Sequence, residues 1–331
     1  MEDIDVNRDD LPLWRAKILL FGEYSVILGS MALTIPFGHF TAGFGFLNSH
    51  RYTDHNKAVR SNEMLRKYNE WLAGNGQGSL PGKLVDTGAL GRDLDRGLFL
   101  ESNIPQGYGI GSSGAVVASV YHRYAVERMD SSPDADIGRL KELKRIFALM
   151  ESYFHGTSSG LDPLNCYLGR PVLVGPDDNL EVAGIPGADE GGGASVFLID
   201  TGRTGKTAPL VEWFMKEYLE MGFMEMVDNV MIPAVNDSIA SLLEPDINRF
   251  WRSLAGLSEF QLRNMKKMIP EGYELVWERG LSTGDFYLKL CGSGGGGYLL
   301  GFTRNFRETA AILRRMKLKV LPVYMDPERY G

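Results

Sequence analysis

The chain has 331 residues, about twice the ~150 residues typical of one domain, so we expect two domains or one large one. Hydrophobic residues make up 44% of the chain, charged residues make up 23%, and the mean hydropathy is −0.14. This composition excludes a predominantly disordered or membrane-embedded chain, and a net charge of −7 argues against an extended nucleic-acid-binding surface. We therefore expect a folded protein whose partners include neither nucleic acid nor a membrane.

Two further features of the sequence bear on where the protein works. No uninterrupted apolar run approaches the roughly 20 residues of a membrane-spanning helix, and the start of the chain is acidic, unlike a signal peptide. Cys166 and Cys291 match no CxxC or Cys/His ligand spacing, which argues against a disulfide framework and a structural zinc site. These features favour a cytoplasmic location.

Strands and helices alternate along the first part of the chain. The apolar run at residues 16–22 predicts a short buried strand, which residues 23–28 would continue up to a turn at Gly29. Length and apolar spacing predict helices over residues 56–72, 115–128 and 136–154. Further strands are expected over residues 97–101 and 171–174.

The sequence turns to glycine and acidic residues at PGADEGGG, residues 186–193, which is the best candidate for a domain boundary. We therefore assign residues 1–188 to an N-terminal domain and residues 189–331 to a C-terminal domain. In the second domain we expect strands over residues 195–200, 286–290, 297–302 and 319–324, and helices within residues 210–230, 234–243, 250–268 and 307–316. Because strands and helices interleave, the expected fold class is α+β.

Glycine is enriched, with 40 residues, roughly 12% of the chain against a usual ~7%. The first glycine cluster, residues 104–115, reads IPQGYGIGSSGA and leads into a predicted helix. Its glycines allow a close backbone approach, and the helix start offers N–H groups and a positive dipole end to an anion. The cluster therefore predicts a phosphate-binding loop, and the alternative is a flexible glycine-rich turn.

The first glycine cluster partly matches better-known glycine motifs, but this sequence lacks the other elements that each of those motifs requires. Gly109, Gly111 and Gly114 satisfy GxGxxG, yet a Rossmann unit needs a second strand with an acidic residue about 20 positions on, where this chain has a loop. A protein kinase needs HRD and DFG elements, and a Walker A loop needs GK[ST] after its spacer; this sequence does not supply them. The remaining interpretation is a Gly-Ser phosphate loop of another kind.

Two acidic residues are candidates for chemistry. Glu151 ends a predicted helix, and Asp162 follows in SSGLDP, just beyond a turn marked by Gly156 and Gly160. One carboxylate could hold Mg²⁺, which prefers oxygen ligands, while the other accepts or orients a hydroxyl proton. The alternatives are a solvated helix residue at Glu151 and a helix N-cap at Asp162, ahead of Pro163.

A lysine and a second glycine cluster complete the candidates. Lys17 opens the apolar strand KILLFG, where a cation is poorly placed unless it pairs with a carboxylate or a ligand. The alternative is a strand-end lysine that extends its ammonium group into water. The second glycine cluster, residues 289–297, reads KLCGSGGGG between two predicted strands. Because strand interiors avoid glycine, this cluster predicts a close backbone approach to another loop or to a ligand.

Four blocks, in chain order, resemble the GHMP small-molecule kinases, and among these the mevalonate kinases most closely. They are KILLFGEYSVILG at residues 17–29, the first glycine cluster, ESYFHGTSSGLDP at residues 151–163, and the second glycine cluster. The resemblance spans nearly the whole chain. It implies a two-domain fold with an N-terminal domain like domain 2 of ribosomal protein S5, a ferredoxin-like C-terminal domain and a site between them.

The resemblance also implies roles for individual residues. Asp162 would orient or deprotonate the substrate hydroxyl, and Lys17 would lower the pKa of that hydroxyl or neutralise the transferring phosphoryl group. Ser113 and Glu151 would hold Mg²⁺. The phosphates of ATP would be bound by Gly107, Gly109, Gly111, Ser112, Ser113 and Gly114. Two further residues, Glu23 and Thr207, would lie near the substrate.

The implied reaction is ATP-dependent phosphorylation of a small-molecule hydroxyl, and mevalonate to 5-phosphomevalonate, in isoprenoid synthesis, is the leading choice. Mevalonate kinases usually have GEH where this chain has Gly22-Glu23-Tyr24, and GEY is closer to some phosphomevalonate kinases. Phosphomevalonate or a sugar-type alcohol is therefore an alternative acceptor, and an inactive metabolite-binding family member is a further alternative. Gly114 replaces the usual alanine, which we expect to be tolerated. The protein is expected to be a monomer or a homodimer.

Overall fold

The computed structural model describes the chain at residues 11–48, 54–74, 84–129, 137–156, 158–175, 179–183, 195–205, 207–244 and 246–323. By their internal contacts these residues form two compact units. The first unit contains residues 11–16, 38–104 and 111–169, and the second contains residues 17–37, 105–110 and 170–323, each with the gaps just given. The domain boundary predicted between residues 188 and 189 lies outside the described residues and stays a prediction.

Five helices belong to the first unit. They are α1 (His55–Gly74), α2 (Thr87–Asp95), α3 (Ser112–Tyr124), α4 (Ile137–His155) and α5 (Leu161–Leu168). Residues 114–121 of helix α3 are all buried, and most of their side chains are small or β-branched, as expected for a helix segment surrounded by the core. It packs against α4 and α5, so its start is held by the core of the unit.

One five-stranded sheet is built around a long central strand. It comprises β1 (Trp14–Phe21), β2 (Ala32–Phe46), β3 (Leu98–Ser102), β4 (Val172–Val174) and β5 (Leu180–Val182). The first residues of β2 pair with β4 and its last residues pair with β3, both antiparallel. The sequence did not predict β2, because Pro36, Gly38, Gly43 and Gly45 are residues that strand interiors avoid.

A four-stranded antiparallel sheet organises the second unit. Its strands are β6 (Ser195–Asp200), β7 (Phe286–Leu290), β8 (Tyr298–Thr303) and β9 (Lys319–Pro322), in the order β7-β8-β6-β9. Its helices are α6 (Thr207–Glu217), α7 (Met221–Met226), α8 (Ile232–Leu243), α9 (Ile247–Asn264), α10 (Glu274–Thr283) and α11 (Phe306–Arg315). Helices connect β6 to β7 and β8 to β9, which is the β-α-β-β-α-β order of a ferredoxin-like arrangement.

The α+β fold class is confirmed, with local differences from the predicted elements. Residues 25–28 form a 3-10 turn rather than the end of a strand, since Gly22 and Tyr24 both have positive φ and β1 ends at Phe21. The helix predicted over residues 115–128 begins three residues earlier and ends at Tyr124. In the described ranges, no helix is both long and apolar enough to cross a membrane.

Two glycines with left-handed backbones mark the ends of α5. Gly160 is the N-cap (φ 73°) and Gly169 is the C-cap (φ 61°). A Cβ on Gly160 would lie 2.0 Å from the carbonyl oxygen of Lys144 in α4, whereas a Cβ on Gly169 would meet no atom within 4 Å. The start of α5 is therefore packed directly onto the backbone of α4.

Alanine at these two positions separates packing from backbone strain. Gly169→Ala should lower the free energy of unfolding by about 1–2 kcal/mol, the cost of a left-handed non-glycine residue. Gly160→Ala should cost at least about 3 kcal/mol, since overpacking against fixed backbone adds to that strain. Urea unfolding followed by tryptophan fluorescence measures both values. Equal losses in the two variants would contradict the close contact between α5 and α4.

Candidate active site

Helix α3 begins at the serine pair of the first glycine cluster. Its N-cap residue is Gly111, which has a left-handed backbone (φ 82°, ψ 35°) and provides no side-chain cap. Ala115 and Val120 are fully buried and fix the helix in the first unit. The first turn therefore presents backbone N–H groups and the positive end of the helix dipole beside Ser112 and Ser113.

A buried carboxylate lies next to this turn. Glu151, in the last two turns of α4, is only 3% exposed. Ser113 Oγ donates to Glu151 Oε1 at 2.7 Å, and Ser158 Oγ donates to Glu151 Oε2 at 2.5 Å. Burial is the main cause that raises the pKa of the Tyr68 phenol well above its usual range, and the negative charge of Glu151 adds to the rise. Because a buried carboxylate needs hydrogen bonds, Glu151 holds both serine hydroxyls around itself.

The chemistry of these donors suits a hard cation. The three side chains offer only oxygen atoms, which Mg²⁺ prefers. Within the described part of the chain, no group of three or more His, Cys, Asp and Glu side chains could hold a metal ion by itself. Mg²⁺ usually binds one or two carboxylates and completes its coordination with water and substrate phosphates. The cluster of Ser113, Glu151 and Ser158, called the oxygen cluster below, fits that pattern.

Asp162 lies in the first turn of α5, where it is half-buried. The N-cap of this helix is Gly160, so the alternative that Asp162 is the N-cap is wrong. A Cβ on Gly114 would lie 2.9 Å from the carbonyl carbon of Asp162 and 2.9 Å from the nitrogen of Pro163. The starts of α3 and α5 are therefore in close contact, which the glycine at position 114 allows and which an alanine there could keep only if one of the two helix starts shifted.

Lys17 lies in β1 and belongs to the second unit. It is 3% exposed, so the alternative of a strand-end lysine that reaches water is wrong. Its backbone N–H donates to the carbonyl of Ile110 at 3.0 Å, which joins β1 to the first glycine cluster. Its ammonium charge also lowers the pKa of Glu23, so the two side chains share one electrostatic environment.

Glu23 forms a fully buried ion pair with Lys289 of β7. Lys289 Nζ donates to Glu23 Oε1 at 2.5 Å and to the carbonyl of Leu290 at 2.7 Å. The side-chain exposures of the lysine and the glutamate are 0% and 2%. Burial raises the pKa of the Glu23 carboxyl above its usual range, and the ammonium charges of Lys289 and Lys17 oppose that rise. The pair thus compensates two charges removed from water.

The next residue, Tyr24, ties the same segment to the second glycine cluster. It has φ 64°, an uncommon value for a residue with a side chain. Its hydroxyl donates to the carbonyl of Ser293 at 2.5 Å, and its ring lies 4.8 Å from that of Phe214. Burial and then the charge of Glu23 raise the pKa of the Tyr24 phenol. The tyrosine that replaces the usual histidine of GEH is therefore engaged in packing and in one backbone contact.

The second glycine cluster packs backbone to backbone against the first. A Cβ on Gly297 would lie 2.7 Å from the Cα of Tyr108, and one on Gly109 would lie 3.1 Å from the carbonyl oxygen of Cys291. Gly205 N–H donates to the carbonyl of Gly107 at 3.0 Å, which adds the loop after β6 to the same assembly. The predicted close approach of the second glycine cluster to another loop is confirmed.

The predicted site residues fall into two groups. The first unit brings together Ser112, Ser113, Gly114, Glu151 and Asp162, with Gly111 as the helix N-cap. The second unit brings together Lys17, Glu23, Gly107 and Gly109. Thr207 is the first residue of α6, but its side chain lies outside the described residues. The roles assigned to all these residues stay predictions.

Two residues of these clusters had no assigned role in the sequence analysis. Lys289 stands in an apolar strand ahead of the glycines, which is the same signal that identified Lys17. Ser158 precedes Gly160 in TSSG, and nothing local indicates that it bonds Glu151 rather than water. Only the folded chain brings these partners together.

Comparisons with known proteins support the motif analysis. A family model described as the GHMP kinases N terminal domain matches residues 83–170. The chain is similar to L. major mevalonate kinase in complex with R-mevalonate, with 15% identity, coverage of 93% of this chain and 91% of that one, and a TM-score of 0.61. No curated protein sequence matches it significantly.

Two further similar structures carry other acceptors. One is Streptococcus pneumoniae phosphomevalonate kinase in complex with phosphomevalonate and AMPPNP, with 15% identity, coverage of 95% and 99%, and a TM-score of 0.56. The other is Lactococcus lactis galactokinase complexed with galactose, with 10% identity, coverage of 96% and 94%, and a TM-score of 0.57. The predicted resemblance to the GHMP kinases is confirmed, and at such identities the likeness shows the fold alone.

A double-mutant cycle tests the buried ion pair. Glu23→Gln and Lys289→Met should each lower the free energy of unfolding by about 3–5 kcal/mol, because each leaves the other charge buried and unpaired. The double variant should lose at least about 2 kcal/mol less than the sum of the two, by urea unfolding.

The exposed pair of Arg145 and Glu142, with side chains 54% and 45% exposed, is the matched control. The cycle of Arg145→Met and Glu142→Gln should give a coupling energy of about 0.5 kcal/mol or less. A coupling at Glu23 and Lys289 no larger than this control would show that the buried contact does not stabilise the fold.

Proposed function

Because residues 83–170 carry the GHMP kinase N-terminal domain and the chain has the fold of these kinases, we propose that it is an ATP- and Mg²⁺-dependent small-molecule kinase. The leading acceptor is mevalonate, which would be converted to 5-phosphomevalonate. The observation that carries this proposal is the oxygen cluster at the start of α3. The backbone at the start of α3 also contacts the start of α5, the helix that carries Asp162.

The first turn of α3 supports binding of the ATP phosphates. Gly111 provides no side-chain cap, so the N–H groups of this turn and the positive helix end are suited to an anion. Gly107, Gly109 and Gly111 have positive φ, which glycine adopts without strain, so the loop can present its backbone N–H groups to a polyphosphate. Gly107, Gly109, Gly111 and Gly114 are the positions assigned to this contact, together with the hydroxyls of Ser112 and Ser113.

The oxygen cluster supports binding of Mg²⁺ through Ser113 and Glu151. When bound there, the cation supplies positive charge to the phosphate oxygens. Ser158 holds the second carboxylate oxygen of Glu151 and so orients the first toward Ser113. Such a supporting partner keeps a metal ligand in a single orientation.

Asp162 acts on the acceptor hydroxyl in this proposal. Asp162, in the first helical turn of α5, offers carboxylate oxygens that can accept or orient the proton of a hydroxyl. Lys17 supplies the compensating cation for the transferring group, and Glu23, held by Lys289, faces the charge of Lys17. Phosphoryl transfer depends mainly on positioning and electrostatics, so these groups suffice.

Phosphomevalonate is the second candidate acceptor. The observation that favours it is Tyr24, which stands where mevalonate kinases usually have histidine and which is committed to Ser293 and Phe214. Its fixed position changes the chemistry available beside Glu23, because a buried phenol replaces an imidazole. A similar fold is shared by enzymes whose structures hold mevalonate, phosphomevalonate and galactose.

A kinase assay against these acceptors tests the proposed function. With ATP and Mg²⁺, we expect the highest kcat/KM for mevalonate, and Asp162→Asn should lower kcat by roughly 10²- to 10⁴-fold while keeping ATP affinity. Asp95→Asn, at an exposed carboxylate of α2 that is 73% accessible, is the control and should leave kcat unchanged. Turnover of phosphomevalonate or galactose alone would show that this compound, and not mevalonate, is the acceptor. ATP binding without any turnover would indicate an inactive family member.

Two serine-to-alanine variants on α3 test the cation site. Ser113→Ala should raise the Mg²⁺ concentration for half-maximal rate at least about tenfold, because it removes one oxygen donor next to Glu151. Ser119→Ala is the matched control, since this hydroxyl bonds the carbonyl of Ala115 within the same helix. A steady-state Mg²⁺ titration at saturating ATP measures both. Identical Mg²⁺ dependence in the two variants would remove Ser113 from the cation site.

A further inference from the structure

Residues 304–319 carry a local excess of positive charge in an acidic protein. This segment contains six basic residues and one acidic residue, Glu308, so its net charge is +5. The six are Arg304, Arg307, Arg314, Arg315, Lys317 and Lys319. All six are exposed. Since the whole chain has a net charge of −7, the rest of it has a net charge of −12. A basic surface on such a protein attracts anionic partners to one place.

Helix α11 arranges part of this charge on one side. Thr309, Ala310 and Leu313 are buried and hold the helix against the core of the second unit. Arg307 and Arg314 lie seven residues apart on the exposed side, so they share a face and are separated by about 10 Å at 1.5 Å per residue. Arg315 is next to Arg314, and Lys317 follows the helix directly. We call the following four residues the basic patch: Arg307, Arg314, Arg315 and Lys317.

The charges of the basic patch are not used within the described part of the chain. In the described ranges, none of its four charged groups forms an ion pair. Elsewhere the protein does pair its arginines, as Arg123 with Asp93 and Arg249 with Asp237. The basic patch therefore has positive charge available for a partner.

Lys317 occupies a backbone position that favours glycine. Its φ is 62°, in the left-handed region. Its N–H donates to the carbonyl of Arg314 at 2.9 Å, and the N–H of Leu318 donates to the carbonyl of Leu313 at 3.1 Å. This pair of bonds is the Schellman pattern at a helix end, in which the left-handed residue is usually glycine. Because a lysine there is strained and a glycine is not, the fold itself does not require the Lys317 side chain.

A purely structural role explains only part of the basic patch. Cations in the last turn of a helix stabilise its free carbonyl groups, and this accounts for Arg314 and Arg315. It does not account for Arg307, which lies in the first turn, where the helix dipole disfavours a positive charge. It also does not account for a lysine in place of glycine at position 317.

We propose that the basic patch docks a short acidic segment of a partner protein, with carboxylates about 10 Å apart to match Arg307 and Arg314. Each guanidinium binds a carboxylate through two parallel N–H donors. Clusters of arginine are a recurring means of recognising acidic motifs. The proposal does not rest on the kinase function, because α11 carries none of the residues assigned to phosphoryl transfer.

A protein segment fits the basic patch better than a nucleic acid or a membrane. A short peptide ends where the patch ends, whereas a long polyanion or a lipid surface also meets the remaining surface of a chain whose net charge outside residues 304–319 is −12. Within residues 304–319, all of which the structure describes, Met316 is the one exposed large apolar side chain. That is too little apolar surface for insertion into a bilayer.

Fluorescence anisotropy on the full chain tests the proposal with a labelled peptide of eight glutamates. We expect saturable binding at low ionic strength that weakens as salt is added, because the contacts are exposed ion pairs. A peptide of eight glutamines is the neutral control and should not bind. A single-stranded DNA octamer and phosphatidylserine vesicles, the competing anions, should bind more weakly than the glutamate peptide.

Variants assign the binding to the basic patch. Arg307→Gln combined with Arg314→Gln should weaken peptide binding about 5- to 30-fold, the combined loss of two exposed ion pairs. Lys57→Gln combined with Arg145→Gln removes the same charge from exposed side chains of α1 and α4 and is the matched control, which should change it less than about twofold.

Lys317→Gly separates binding from folding. It should weaken peptide binding about 2- to 5-fold and raise the melting temperature, because glycine relieves the left-handed strain while the charge is lost. Thermal melts check that every variant is folded. Absence of binding by the glutamate peptide, tighter binding of the DNA or the vesicles, or an equal loss in the double arginine variant and its control would overturn the proposal.

Discussion

The buried carboxylate of Glu151 is the constraint on which the first unit's candidate site depends. A carboxylate that is 3% exposed must be hydrogen-bonded, and its two oxygens take the hydroxyls of Ser113 and Ser158. These two contacts join the last turns of α4 to the first turn of α3 and to the loop before α5. The hydrogen bonds of one carboxylate therefore align the end of α4 with the starts of α3 and α5, and with them the position of Asp162.

The second unit also contains a buried carboxylate, which is compensated by an ion pair rather than by hydroxyl groups. Glu23 is paired with Lys289, a residue 266 positions away in sequence, and Lys17 adds a further cation to the same environment. A buried ion pair is weak support for stability in itself, since desolvation costs nearly as much as pairing returns. Its value here is positional, because it fixes the segment that also carries Tyr24 against the second glycine cluster.

The sequence by itself determined the α+β class and the two glycine clusters, because local periodicity and composition are properties of neighbouring residues. It also named Lys17, Ser113, Glu151 and Asp162 as candidates, and their roles stay predictions. It did not yield strand β2, whose glycines and proline hide its alternation, nor the helical start at which Asp162 lies. Tertiary structure alone decided that Lys289 partners Glu23 and that a Cβ on Gly114 would press on the backbone of Asp162. Those facts depend on distances between chain segments that only a packed fold brings together.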